Sequence, residues 1–292
     1  MKPAPFEYFD PRTPQEAVGL LQQHGEDAKI LAGGQSLVPL MNMRLVRPAV
    51  LVDINRIPAL AYVRAVDHTL ALGALTRLHE VATSAAVRTT LPLLAEAAAL
   101  VGHLAIRHRG TVGGTVAHAD PASEIPAVIL ALEGDLIARG PSGQRSIKAR
   151  DFFVGLLSTA LGPGELLTEV RIPTAPAGSG SAFVEVSRRD GDFALAGAAV
   201  LLGRGEGNRC TMARIALCGV GATALRVPEA ERALEAQGIT DQALRDAARQ
   251  VERAVDPPGD VHASAEYRRH VAGVLVTRAA KEAWQRASQG TP

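Results

Sequence analysis

The sequence predicts an α+β chain built in successive parts, and three observations predict it. Residues 1–57 read as a compact βαβ-like unit, and residues 58–175 as paired strands interleaved with core-facing helices. Residues 180–288 hold three consecutive strand-like runs followed by three helix-like runs. The stretch Thr174–Gly180, containing APAGSG, is small and turn-rich and marks a boundary before the last part. At 292 residues the chain accommodates two domains, at about 150 residues each.

Each element has a local cause. Thr13 caps a helix whose first position is Pro14, with Ala17, Val18 and Leu21 as its apolar stripe and His24-Gly25 as its end. A buried strand follows at 28–32, a Gly-Gly turn, a short helix at 36–43, and the strand VLVDI at 50–54. YVRAV and TLALGAL pair across Asp67-His68, after which RLHEVATS and LPLLAEAAALV carry the three-to-four apolar spacing of helices. A second Gly-Gly pair precedes a helix at 122–132, LIARGPSGQRSI reads as a hairpin, and LLTEVRIP as a strand. SAFVEVSRR, ALAGAAVLLGR and CTMARIALCGV predict an antiparallel meander; PEAERALEAQ, DQALRDAARQVERAV and SAEYRRHVAGVLVTRAAKEAWQRA predict helices.

Composition removes several functions. A net charge of +1 gives no field for nucleic acid or an anionic membrane, and no apolar run reaches the roughly 18 residues of a membrane span. The opening MKPAPFEYFDPRTPQEA has no signal-peptide core, so cytoplasm is the expected location. Cys210 and Cys218 form no CxxC pair, cannot supply a four-ligand zinc or iron–sulfur site, and read as buried free thiols. His103, His108 and His118 flank the second glycine pair without sharing a helical face or a cysteine neighbour, which argues against a metal centre.

The two glycine motifs carry the chemistry. AGGQS (32–36) and TVGGT (111–115) both set Gly-Gly after an apolar residue and follow it with hydroxyl or amide side chains. Taken alone, either is a tight turn that needs positive φ. Taken together, two such loops converging on one ligand suit a diphosphate, which needs several donors. Neither is GxGxxG or GxxxxGK[ST], so a Rossmann site and a P-loop are poorly supported. Arg107 and Arg109 attract such an anion or are simply solvated, and the SRRD turn at 187–190 faces a partner or solvent.

These motifs, with FEYFDPRTPQEAVGLL, VLVDINRI, DPASEIPA, GELLTEVRIP and RRDGDFALAGAAV, resemble the FAD-binding medium subunit of the molybdenum hydroxylases. That family includes the flavoprotein of aerobic carbon monoxide dehydrogenase and the central region of xanthine dehydrogenase. The resemblance implies a two-part FAD-binding region of the PCMH/VAO type, at 1–57 and 58–175. A flavoprotein C-terminal domain with a three-stranded antiparallel sheet and helices would then span 180–288. It implies non-covalent FAD held by Ala32, Gly33, Gly34, Gln35 and Ser36 of the first loop and by Thr111, Val112, Gly113, Gly114 and Thr115 of the second. Glu124 takes the place of a family carboxylate that contacts the cofactor, and Leu167 that of an apolar residue lying against it. Phe193, in GDFA, sits where relatives place a tyrosine or branched apolar side chain near the isoalloxazine; its alternative is an ordinary core phenylalanine.

The sequence departs from the family's pattern at three places. Thr115 replaces a common asparagine, Val101 a stacking phenylalanine of xanthine dehydrogenase, and Val184 a lysine of the animal enzymes. By resemblance the chain is an oxidoreductase component. It would pass electrons from [2Fe–2S] clusters on a small partner subunit, through FAD, to an external acceptor. Molybdopterin would sit on a large partner subunit, and the resemblance implies assembly of the three chains as a dimer of heterotrimers. The competing readings are a self-sufficient FAD-dependent oxidoreductase with its own substrate pocket and an assembly factor without flavin.

Overall fold

The computed structural model describes residues 2–289. Its first strand, β1 (Glu7–Phe9), leads into α1 (Pro14–His24), β2 (Ala28–Leu31), α2 (Leu37–Asn42) and β3 (Val50–Asp53). The three strands form a parallel sheet in the order β1-β3-β2, with Tyr8 opposite Leu51 and Ile30 opposite Val52. Thr13 caps α1 as its sequence dictates, its hydroxyl accepting from the Glu16 N–H at 3.2 Å, and Ala17, Val18 and Leu21 are buried beneath.

The middle of the chain opens with β4 (Val63–Val66) and β5 (Thr69–Gly73). Six helices follow: α3 (Leu78–Thr83), α4 (Ala85–Thr90), α5 (Pro92–Leu100), α6 (Leu104–Arg109), α7 (Val112–His118) and α8 (Glu124–Ala131). Then come β6 (Asp135–Gly140), β7 (Gly143–Lys148), the single turn α9 (Ala149–Phe152), the small pair β8 (Phe153–Gly155) and β9 (Ser158–Thr159), and β10 (Leu166–Pro173). The main sheet here is antiparallel throughout, ordered β4-β5-β10-β6-β7. Leu93, Leu94, Ile125 and Ile129 are fully buried between helices and sheet. Each such side chain contributes about 1.5–3 kcal/mol by leaving water.

The last part is a meander of β11 (Ser179–Ser187), β12 (Ala194–Arg204), β13 (Cys210–Cys218) and the two-residue β14 (Leu225–Arg226), followed by α10 (Pro228–Gln237), α11 (Asp241–Ala254) and α12 (Ala265–Gln289). The expected three strands gain β14, whose two residues are too short to leave a periodic signal. β12 is buried along nearly all its length because both faces are covered. Ala196, Ala198, Val200 and Leu202 point to the helices α10–α12, whereas Ala199 and Leu201 join the core of the middle part with Phe183 and Cys218. A run as apolar as ALAGAAVLLG is what a two-sided strand requires. The turn-rich stretch at 174–180 therefore does not separate independent bodies: the C-terminal sheet shares a core with the helices before it. Cys210 and Cys218 are buried free thiols, and burial pushes both well above the ordinary thiol range. No helix among the described residues is long and apolar enough to cross a membrane.

Candidate functional site

A cleft of about 420 Å³ opens between the parallel sheet and the face formed by α7 and β10. Ala32, Gly33, Gly34, Gln35 and Ser36 line one side, and Thr111, Gly113, Gly114 and Thr115 another, with Leu167 between them. Val112, Glu124 and Phe193 lie outside this cleft: Val112 is wholly buried behind it, Glu124 is buried, and Phe193 is 64% exposed. That exposure sets aside the reading of Phe193 as a core side chain.

The first motif is a turn. Gly34 has φ +71, a left-handed conformation that favours glycine, as the tight-turn reading requires. Among the described residues, nothing accepts from the N–H groups of Gly33, Gly34, Gln35 or Ser36, while the Gln35 Nε2 folds back to donate to the Gly33 carbonyl at 2.9 Å. Four consecutive residues that line the cleft therefore carry N–H groups without a protein partner. Such a run of unspent donors suits an anion.

The second motif is not a loop. Gly113 and Gly114 lie in the first turn of α7, with neither in the left-handed region. Thr111 is the cap: its hydroxyl accepts from the Gly114 N–H at 3.1 Å. The Val112 N–H donates to the Thr76 carbonyl at 3.0 Å and the Gly113 N–H to the Ala74 carbonyl at 2.9 Å. The helix start has thus spent its donors on the protein. What it offers the cleft is hydroxyl groups and a close surface.

At two of the four glycines, contacts within the protein leave no room for a side chain. A Cβ on Gly33 would lie 2.5 Å from the Arg109 carbonyl oxygen and 2.8 Å from the Gly110 Cα. A Cβ on Gly113 would lie 2.5 Å from that of Ala74. The first motif therefore touches the backbone leading into the second.

A strut that no short-range pattern shows holds this contact. The Asn55 Nδ2 donates to the Ala32 carbonyl at 2.7 Å, and its Oδ1 accepts from Arg77 Nη2 at 2.8 Å. Arg77 Nη1 in turn donates to the Arg109 carbonyl at 2.5 Å. Asp53 anchors the other end, accepting from Tyr8 and from both Asn55 N–H groups. Burial would raise the Asp53 carboxyl, but these donors hold it below its ordinary value. Arg145 and Glu165 pin the opposite wall with two contacts of 2.6 and 2.7 Å, placing Leu157 and Leu161 on the cleft.

Arg107 is spoken for: its Nη1 donates to the carbonyls of Val101 and Gly102. Arg109 is exposed and meets the site through its carbonyl alone. The His108 ring stacks on that of His79 at 4.0 Å, His118 lines the cleft, and among the described residues no three His, Cys, Asp or Glu side chains converge as a metal site. Glu124 begins α8 beside the C-terminal sheet; burial pushes its carboxyl up to about 8, with Glu185 and Asp120 adding to the rise. Burial likewise pushes Glu185 up to about 7, helped by Asp190.

Unspent donors beside apolar walls define a protein that binds an anionic, partly apolar cofactor. The family described as "FAD binding domain in molybdopterin dehydrogenase" matches residues 4–175, and that described as "CO dehydrogenase flavoprotein C-terminal domain" matches residues 181–283. The chain is 45% identical to the 6-hydroxypseudooxynicotine dehydrogenase complex subunit alpha of Paenarthrobacter nicotinovorans, over 98% of this chain and 97% of that one. It is 41% identical to the carbon monoxide dehydrogenase medium chain of Hydrogenophaga pseudoflava, over 98% and 99% of the two chains. A chain of the carbon monoxide dehydrogenase structure from the same organism, lacking the Mo-pyranopterin moiety, superposes with a TM-score of 0.96 at 42% identity, covering 98% of this chain and 99% of that one. The chain belongs to the FAD-binding flavoprotein family of the molybdopterin dehydrogenases, and is an oxidoreductase component.

Proposed function

We propose that this chain is the electron-transfer subunit of a heteromeric molybdenum hydroxylase and that the cleft between its two glycine motifs holds the FAD diphosphate. The observation that carries the site is the run of four unspent N–H groups at Gly33–Ser36, facing a motif whose own donors are satisfied. Diphosphate oxygens would accept from the first motif, the hydroxyls of Thr111 and Thr115 would add polar contacts, and Leu167 would pack against the apolar part. Ala32 and Val112 act through the backbone positions they hold. Glu124 and Phe193, outside the cleft, serve the flavin end of an extended cofactor. Bound FAD supplies the change between paired and single electrons that links a partner's [2Fe–2S] clusters to an external acceptor.

Residues 1–57 and 58–175 would form the two halves that grip the cofactor, and 180–288 the part that closes on it. The partners would be a large molybdopterin-binding subunit and a small [2Fe–2S] subunit, assembled in the cytoplasm as a dimer of heterotrimers. Purified wild-type chain should take up FAD and release it unmodified on acid or heat denaturation. Flavin that stays with the denatured chain overturns the non-covalent arrangement. Native co-purification with the two partner subunits, sized by light scattering, tests the assembly; a chain that oxidises an organic substrate by itself would favour the self-sufficient oxidoreductase.

A further inference from the structure

The carbonyl side of the first glycine motif is held by two amide side chains. The Asn55 Nδ2 donates to the Ala32 carbonyl at 2.7 Å, and the Gln35 Nε2 to the Gly33 carbonyl at 2.9 Å. A planar trans peptide sets its C=O and its N–H on opposite sides. Holding the Ala32 carbonyl therefore turns the Gly33 N–H away from Asn55, and holding the Gly33 carbonyl turns the Gly34 N–H away from the Gln35 amide. Ala32, Gly33 and Gly34 line the cleft, whereas Asn55 stands outside its lining. The first donor of the motif thus takes its direction from behind.

Asn55 is itself fixed from two sides. Asp53 Oδ1 accepts from its N–H at 2.9 Å and from its Nδ2 at 2.6 Å, while Asp53 Oδ2 accepts from the Tyr8 hydroxyl at 2.6 Å. On the other side, the Asn55 Oδ1 accepts from Arg77 Nη2 at 2.8 Å. Arg77 is carried by the second motif: it forms an antiparallel bridge with Thr111, the Val112 N–H donates to the Thr76 carbonyl at 3.0 Å, and the Leu78 N–H to the Gly110 carbonyl at 3.0 Å. Its guanidinium selects one orientation of the Asn55 amide. Rotated by half a turn, the amide would set its NH₂ against the guanidinium and its oxygen against the Ala32 carbonyl, two repulsive contacts in place of two hydrogen bonds.

We propose that Asn55 and Arg77 are positioning residues of the cofactor site. Arg77, held by the second motif, fixes the Asn55 amide, and Asn55 keeps the Ala32–Gly33 peptide in the orientation that presents the Gly33 N–H to the diphosphate. The proposal rests on the FAD-binding reading above. A glycine pair turns its peptide planes at little steric cost, and a reversed Ala32–Gly33 peptide would set a carbonyl oxygen, not a donor, against the anion. The second motif therefore serves the ligand through the first, by a side chain that does not touch it.

The test uses the full-length apoprotein and reads dissociation constants for FAD and for ADP, a probe with the diphosphate and no flavin, at a temperature where circular dichroism shows each variant folded. Asn55→Asp keeps an acceptor for Arg77 but has no N–H for the Ala32 carbonyl. Arg77→Met leaves the Asn55 amide free to rotate. Each should weaken both ligands at least about tenfold, as for the loss of one hydrogen bond to a charged group. Asn55→Ala combined with Arg77→Met should bind FAD no more weakly than the weaker single variant, because both act on one peptide. Arg232→Met, which breaks an exposed pair with Glu229 on α10, is the control and should bind as wild type. If Asn55→Asp does not fold, Asn55→Ala, which adds no charge, decides the matter. Strut variants that melt lower yet bind as wild type, additive losses in the double variant, or an equal loss in the control overturn the proposal. A wild-type chain that binds neither FAD nor ADP would instead overturn the reading on which it rests.

Discussion

In AGGQS, Gly33 presses on the backbone at Arg109–Gly110, Gly34 turns left-handed at φ +71, and four N–H groups are left without a protein acceptor. In TVGGT, both glycines are helical, Gly113 packs on Ala74, and the donors of the helix start go to Thr76, Ala74 and the Thr111 hydroxyl. Two segments with the same residue pattern thus divide the work. One presents donors, and the other is a braced surface that keeps the first in place. A glycine pair in sequence reports a close approach or an unusual φ, but not which of the two, nor whether a ligand is involved.

The largest effect should come from the point where the motifs meet. Gly33→Val must displace the Arg109 carbonyl, which Arg77 holds, or Gly110. It should cost about 3 kcal/mol or more by overpacking and abolish FAD retention. Thermal unfolding and flavin content of the purified variant check this. A variant that folds and keeps FAD would show that the motifs part easily and that the contact is dispensable.

The next effect separates the motifs. Gly34→Ala carries a left-handed penalty of about 1–2 kcal/mol, with Leu31 and Val38 already 3.2 Å from the added Cβ. Gly114→Ala gains about 1 kcal/mol of helix propensity and loses a similar amount by crowding the Thr111 cap at 2.8 Å. The first should lower the melting temperature and weaken FAD binding together, and the second should leave the melting temperature near wild type. Equal losses would erase the distinction between a turn and a helix start.

Much of this was legible in the sequence where short-range chemistry decides. Thr13-Pro14 specifies α1, the strand-like runs SAFVEVS and ALAGAAVLLGR specify β11 and β12, and VLVDI specifies β3. The second motif reads as a loop because Gly-Gly is a turn signal; the competing signal, Thr111 as a cap for Gly114, is equally local and wins because Thr76 and Ala74 satisfy the remaining donors. β1 has only three residues and exists because Glu7–Phe9 finds β3 more than 40 residues later. The Asn55–Arg77 strut joins residues whose separation follows no helical or strand period, so no pattern rule finds it. The motifs were visible; the reason they stay together was tertiary.

Another effect distinguishes the surroundings of the second motif by pH. Burial, then Glu185 and Asp120, raise Glu124 to about 8, whereas in the unfolded chain it titrates near its ordinary 4.5. Between those values the folded chain holds a proton that the unfolded chain has lost. Stability from this group is therefore complete below about 4.5 and is lost as pH rises through about 8, at no more than roughly 1.4 kcal/mol per pH unit. The apoprotein should melt lower at pH 8 than at pH 5.5, and Glu124→Gln should flatten that slope. An unchanged slope in the variant would place the ionisation elsewhere.

The smallest effect on stability should be that of Phe193→Ala. Truncating a fully buried phenylalanine costs about 3–5 kcal/mol, but this ring is 64% exposed and has little packing to lose. Its removal should move the unfolding free energy by no more than about 0.5 kcal/mol. FAD should also remain bound, because the donors at Gly33–Ser36 and the bracing helix start lie in another part of the chain. If Phe193 covers the flavin end, the variant's spectrum, reduction potential and reoxidation rate will nevertheless change, since an aromatic contact adds about 0.5–1.5 kcal/mol beyond burial and controls access to the ring. The same preparation thus answers two questions by independent measurements. A stable, FAD-loaded variant with altered flavin behaviour would assign holding the cofactor to the glycine motifs and covering it to the C-terminal part. A stable variant with wild-type flavin behaviour would remove Phe193 from the site and leave its exposed ring as a surface for a protein partner.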